Sequence, residues 1–176
     1  MPPYPPYIYV LLLHGVLGFI DIVVSHELLA KLPRRGDAAP EQALHAARET
    51  IFAGLFAALA WYEWHGAWGW VLAALLLLEV FVSARDVIVE GDTRILPAFE
   101  RVVHLLLFIS LGVLVTLVGY ALVWWHAAPT ALVRVDHGWA SWVLTAMSAL
   151  SLVWAIRDGV AAGRSEKIAP VRDTGR

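Results

Sequence analysis

The chain has 176 residues, 60% of them hydrophobic, and a mean hydropathy of +0.68. Soluble proteins average about 45–50% apolar, so an ordinary soluble domain is excluded and a membrane protein is expected. The net charge of −2 is uninformative in itself, whereas the lack of cysteine rules out disulfides, thiolate metal sites and thiolate-held iron–sulfur clusters.

A spanning helix needs roughly 20 predominantly apolar residues. Five segments qualify in chain order: 7–31, 41–65, 67–90, 97–126 and 138–161. Short links make neighbouring helices antiparallel, predicting an all-α, five-helix transmembrane domain over 1–161, with helices 1–4 bundled around a polar site. Residues 162–176 read as a cytoplasmic tail with a frayed end. Helix 1 follows a Pro- and Tyr-rich lead-in. It is too long for a signal-peptide core and lacks a basic flank, so it reads as a retained span. It carries His14, Gly18, Asp21 and Ser25 on one face, with His26 and Glu27 beside them. Helix 2 opens after Pro40 and carries His45, Arg48 and Glu49. Helix 3 has Glu79, Asp86 and Glu90 on one stripe. Helix 4 follows Pro97, suited to a first helical turn, and carries Glu100, Arg101 and His104. Helix 5 has only Arg157 and Asp158 near its end and reads as an outer brace or a homodimer contact.

Twelve of the thirteen Lys and Arg residues fall on the side of the 32–40 and 91–96 loops and the tail; only Arg134 falls opposite. Basic residues favour the cytoplasm, so the amino terminus is expected outside and the carboxy terminus inside. Eight of the nine tryptophans, all but Trp154, map to the outer interface, where aromatic rings favour the headgroup region. The dispersed basic residues give no nucleic-acid surface, and no glycine-rich phosphate loop is present.

The chemistry lies in His45-x-x-x-Glu49 and Glu100-x-x-x-His104. Residues four apart share a helix face, and intramembrane acids and histidines are costly and usually functional. At about 1.5 Å per residue, His45 and Glu100 lie one turn in from the cytoplasmic side, and Glu49 and His104 two turns in. Helices 2 and 4 run parallel, so the reversed motif order would give each of two layers one histidine and one carboxylate. The expected metal ligands are His26, His45, Glu49, Asp86, Glu100 and His104. Asp21, Glu27, Glu79, Arg48 and Arg101 are expected as additional ligands or supports of the ligands. The competing reading is a salt-bridged helix end in which Arg48, Arg85 and Arg101 neutralise the acids. His14, His65, His126 and His137 read as interfacial residues of the outer side, with a second metal or haem site as the sharper alternative.

Three segments, His26-Glu27-Leu28-Leu29-Ala30-Lys31-Leu32-Pro33, Glu63-Trp64-His65-Gly66-Ala67-Trp68 and Asp92-Thr93-Arg94-Ile95-Leu96-Pro97 followed by Glu100-Arg101 and His104, resemble an uncharacterised family of small bacterial multi-pass membrane proteins. That resemblance implies a bacterial inner-membrane setting and brings no activity with it. In ligand pattern alone the motifs are similar to di-metal carboxylate four-helix proteins, although the spacing departs from their Glu-x-x-His.

Imidazole and carboxylate ligands suit two divalent ions of iron or zinc, or manganese. The leading expectation is a metal-dependent membrane oxidoreductase acting on a lipophilic substrate such as a quinone. The alternatives are a zinc-dependent membrane hydrolase and a non-enzymatic b-haem or ion-binding protein. A transporter is disfavoured, because the polar residues stay on one side and five helices give no even inverted repeat.

Overall fold

The computed structural model describes residues 4–30 and 38–168, so the basic residues of the first loop and the end of the tail lie outside the described residues. The described residues are all-α apart from two short strands. The elements are α1 (Pro6–Ile20), continued by a π-helical segment (Asp21–Ala30), α2 (Ala39–Trp61), β1 (Tyr62–Trp64), a 3-10 turn (Gly66–Trp68), α3 (Gly69–Thr93), α4 (Ala98–His126), β2 (Leu132–Arg134) and α5 (Trp139–Ile168). Four helices, at Pro6–Leu29, Ala39–Trp61, Ala98–His126 and Trp139–Arg164, are long and apolar enough to cross a membrane. The remaining expected span, α3, has 25 residues but carries Glu79, Arg85, Asp86 and Glu90. It buries all three of these acids and turns Leu77, Leu78, Phe81 and Ile88 outward.

Prolines set the helix starts. Proline lies in the first turn of α1 and of α2, where its missing N–H costs nothing, and Pro97 precedes α4 as its N-cap. The ends differ from expectation in two places. Helix α2 stops at Trp61, because Tyr62–Trp64 is extended and pairs antiparallel with Leu132–Arg134. These residues suit a half-buried pleated surface, and the pair ties the α2–α3 link to the α4–α5 link. Gly66 follows at φ +56°, with Thr130 so close that a Cβ would lie 2.4 Å from its Oγ1. At the other end, α5 stays helical to Ile168, past the expected boundary at 161.

The helices touch in a ring: α1 on α4, α4 on α3, α3 on α2, α2 on α5, and α5 back on α1. Helix α5 is thus a full packing partner of α2. Ser148 Oγ donates to the Ala53 carbonyl and Ser141 Oγ to the Ala60 carbonyl. The alanine-rich face of α2 permits this close approach. Gly15 does the same between α1 and α5, since a Cβ there would come within 2.6 Å of Met147 Sδ.

The interior divides by depth. Tyr7, Ile8, Leu11, Leu55, Leu59, Leu72, Leu114, Val118 and Leu144 form an apolar core in the half carrying the strands. The other half is filled by buried acids and histidines. Outside, residues such as Leu77, Phe81, Val123 and Ile156 are exposed and give the bundle an apolar perimeter.

Candidate metal centre

Four elements aim polar side chains at one buried centre. The π-helical segment brings Asp21 and His26, α2 brings Glu41, His45 and Arg48, α3 brings Glu79, Asp86 and Glu90, and α4 brings Glu100 and His104. Arg94 enters from the α3–α4 link.

Two overlapping groups could each hold a metal ion: His26, Glu90, Glu100 and His104, and Glu41, His45 and Glu90. Within each group the ligand atoms lie within 4.8 Å of one another. Glu90 belongs to both. Its Oε2 lies 3.3 Å from His104 Nδ1, and its Oε1 lies 3.5 Å from His45 Nε2. Two donors bound at about 2.0–2.1 Å to one tetrahedral ion stand roughly 3.4 Å apart. Each Glu90 oxygen therefore keeps, with a different imidazole, the spacing of two ligands on one ion. The rings of His26 and His45 are parallel, with centroids 4.2 Å apart, close to the roughly 3.5–4 Å between ions in two-metal sites.

The hydrogen-bond accounting is incomplete in the way such a site requires. Asp21 Oδ1, His26 Nε2, both nitrogens of His45, Asp86 Oδ1 and Glu90 Oε1 are buried without a hydrogen-bond partner. Each such orphan costs about 1–3 kcal/mol. By contrast, His104 Nε2 is hydrogen-bonded to Asp21 at 3.1 Å. That leaves Nδ1 toward Glu90, an arrangement in which a second carboxylate fixes the tautomer of a ligating histidine.

Charge points the same way. Asp21, Glu41, Glu79, Asp86, Glu90 and Glu100 are each at most 3% exposed. The guanidiniums among them belong to Arg48, bonded to Asp86 at 2.8 Å and to Glu79 at 3.4 Å, and to Arg94, bonded to Glu41 at 2.7 Å and to Glu100 at 2.8 Å. Six carboxylates less two guanidiniums leave four negative charges when the histidines are neutral. Two divalent cations carry the opposite charge. Burial works to lower the Arg94 pKa, but its hydrogen bonds to Glu100 and Glu41 and their charges outweigh that and raise it, so Arg94 is a fixed cation.

Of the expected ligands, His26, His45, Glu100 and His104 meet here, together with Asp86, whose Oδ2 lies 3.4 Å from His45 Nε2 and is also held by Arg48. Glu49 does not join either group. It lines a neighbouring cavity, with Oε2 buried and unpartnered, so the expected layer of Glu49 with His104 does not form. Glu27 pairs with Arg157 of α5. Glu79 is bound by Arg48 and by Ser83 Oγ at 2.7 Å. Arg101 is exposed, and Arg94 takes the supporting position expected of it. Glu41, Glu90 and Arg94 were not among the expected site residues. The signal was present for all three: Glu41 stands four before His45, Glu90 four after Asp86, and Arg94 four after Glu90.

On the opposite side, His65 pairs with Glu63 at 3.0 Å, and His126 lies 3.3 Å from the Gly66 carbonyl. His137 is buried against the edge of Tyr4, and burial lowers its pKa against the pull of Glu63 and Asp136. Among the described residues no metal-capable group gathers there. His14 lies deeper than expected, stacked on Phe52 at 4.3 Å and hydrogen-bonded through Nδ1 to Ser110 at 2.7 Å.

A cavity of about 330 Å³ adjoins the centre between α1, α2 and α5. Phe52, Phe56, Leu107 and Met147 give it apolar walls, and Asp21, His26, His45, Arg48 and Glu49 line its polar end. It reaches the outer surface past Val16, Phe19 and Leu150, which are exposed. In comparisons with known protein families, curated proteins and solved structures, the chain matches none.

Proposed function

We propose that this chain is an integral membrane protein that holds two divalent metal ions, bridged by Glu90, and uses them for redox chemistry on a lipophilic substrate. The observation that carries the reading is the Glu90 carboxylate, whose two oxygens each stand at ligand–ligand spacing from a different histidine. The unpartnered donor atoms and the uncompensated charge support it. His26, Glu90, Glu100 and His104 would hold one ion, and Glu41, His45 and Glu90 the other. Iron, with zinc and manganese as competitors for such ligands, would supply one-electron steps when bound. The chain orients the ligands, through Asp21 on His104, and keeps the site dry beneath an apolar cavity.

In the bilayer, α3 is the fifth span and the amino terminus faces outward, an orientation supported by the basic residues. Helices α1–α4 then form an antiparallel bundle with the metal centre near the cytoplasmic face of a bacterial inner membrane. The closely spaced histidines, with Glu90 and other buried acids among them, favour carboxylate-held ions over haem.

A zinc hydrolase is the second reading, favoured by Glu49. Its unpartnered oxygen beside the cavity suits a general base acting on a metal-bound water. Elemental analysis of detergent-purified protein with a visible spectrum separates the readings. Two equivalents of iron without a Soret band support redox chemistry, and one zinc supports hydrolysis. No metal after reconstitution, or full metal in both His45→Ala and His104→Ala, removes the metal centre and leaves a salt-bridged helix end.

A further inference from the structure

His14 interrupts the apolar wall of the cavity, and its hydrogen bonding fixes what it offers. Ser110 Oγ donates to the Leu107 carbonyl at 3.0 Å, which uses its only proton. The 2.7 Å contact from His14 Nδ1 must therefore carry its proton on the imidazole nitrogen. No carboxylate among the described residues pairs with His14. A buried unpaired charge in apolar surroundings is costly, so the ring is neutral and Nε2 carries a lone pair. Nε2 accepts no hydrogen bond among the described residues, and the ring lines the cavity. Nearer the metal centre, Trp154 also lines the cavity, and its Nε1–H is buried without an acceptor. The chamber thus combines apolar walls, a route from the outer surface between α1 and α5, the acceptor of His14 set within those walls, and the unpartnered polar atoms of Glu49 and its neighbours at the polar end.

We propose that this cavity is a lipid-fed binding site for a lipophile with a hydroxyl-bearing aromatic head, a quinol type, whose hydroxyl donates to His14 Nε2. A hydroxyl both donates and accepts, which an acyl chain cannot do. The aromatic faces of Phe52 and Phe56 suit a planar head, and about 330 Å³ lies within the roughly 300–1,000 Å³ of ligand pockets. The inference rests on the redox reading above for the use made of the ligand, and it names that ligand's class. Binding itself does not require the metals.

The test is the affinity of a short-tailed benzoquinol and of its dimethyl ether, titrated by tryptophan quenching on the full chain in nanodiscs, with metal content measured on each sample. Wild type should prefer the quinol about tenfold, the value of one net hydrogen bond. His14→Phe keeps the ring stacked on Phe52 and should lose that preference while binding the ether as before. Gly18 lines the cavity, and a Cβ there meets no atom within 4 Å. Gly18→Leu should therefore obstruct the chamber and weaken both probes with the fold intact. Equal affinity of wild type for quinol and ether, binding of neither, or an unchanged preference in His14→Phe would overturn the proposal. If His14→Phe does not fold, the wild-type comparison and Gly18→Leu still decide it. A preference that survives in protein which takes up no metal on reconstitution leaves this site standing and removes the metal reading alone.

Discussion

Glu90→Ala is the most telling perturbation, because Glu90 is the one residue shared by both metal-capable groups. Each of its oxygens serves a different imidazole, at 3.3 and 3.5 Å, so its loss should weaken both ions at once. Unit charges about 4 Å apart interact by roughly 4 kcal/mol at an effective dielectric of about 20, equivalent to about a thousandfold in affinity. Smaller desolvation of the variant gives part of this back, so a loss of at least about a hundredfold is expected. His45→Ala and Glu41→Gln should cost only the ion of the second group, leaving about one equivalent. Equilibrium dialysis against buffered metal, with elemental analysis, reads both numbers. The expected series is two, one and near zero equivalents for wild type, His45→Ala and Glu90→Ala. Two retained equivalents in Glu90→Ala would refute the bridging assignment. Loss of both ions in every variant would show a single cooperative site in place of two that share a ligand.

Other outcomes follow from the contacts around the centre. Asp21→Asn should lower affinity for the ion held by His104 by about 10–100-fold, the usual cost of losing a partner that orients a ligand; unchanged affinity would mean that the 3.1 Å contact does no orienting. Arg94→Gln leaves Glu41 and Glu100 without their guanidinium and should destabilise the metal-free protein by about 3–5 kcal/mol. Because a metal also engages those carboxylates, thermal unfolding should show a smaller loss with metal than in chelator, and equal losses would sink the idea. Inserting one alanine after Val24 would set His26 six residues beyond Asp21, about 120° off its face in a regular helix, and should swing His26 out of the centre. One of the two ions should then be lost, as read by elemental analysis of a variant that still elutes as a folded species.

Most of the fold was legible because burying apolar length is a coarse, cooperative signal. Helices α1, α2, α4 and α5 appear where hydropathy requires them. The strands at Tyr62–Trp64 and Leu132–Arg134 were not legible, since three residues establish no period and their pairing is set by two distant links meeting. At the centre, His26, His45, Glu100 and His104 come together, while Glu49 leaves it. Residues four apart in an α-helix are offset by about 40°, so Glu41, His45 and Glu49 precess around α2. The first two face Glu90, and the third has turned toward the cavity beside α5. The cation between Glu41 and Glu100 is Arg94, which caps α3 four residues after Glu90, just beyond the expected helix end at 90.

The π-helical segment explains how α1 serves the metal centre and the cavity together. In a regular α-helix, residues five apart point about 140° apart, so Asp21 and His26 could not both face inward. Hydrogen bonding from i to i+5 widens the turn and brings such residues toward alignment. The structure accordingly buries Asp21, Ser25 and His26 side by side, the geometry that lets Asp21 hold His104 while His26 stacks on His45. The wider turn begins immediately after the α-helical stretch bearing His14, Gly15 and Gly18, which forms the cavity wall. One helix therefore presents small residues and His14 to the cavity, then changes its winding to supply Asp21 and His26 to the candidate metal centre. Such π-helical stretches occur mostly as single turns at functional sites, and this one runs for ten residues through the part of the chain that carries Asp21 and His26.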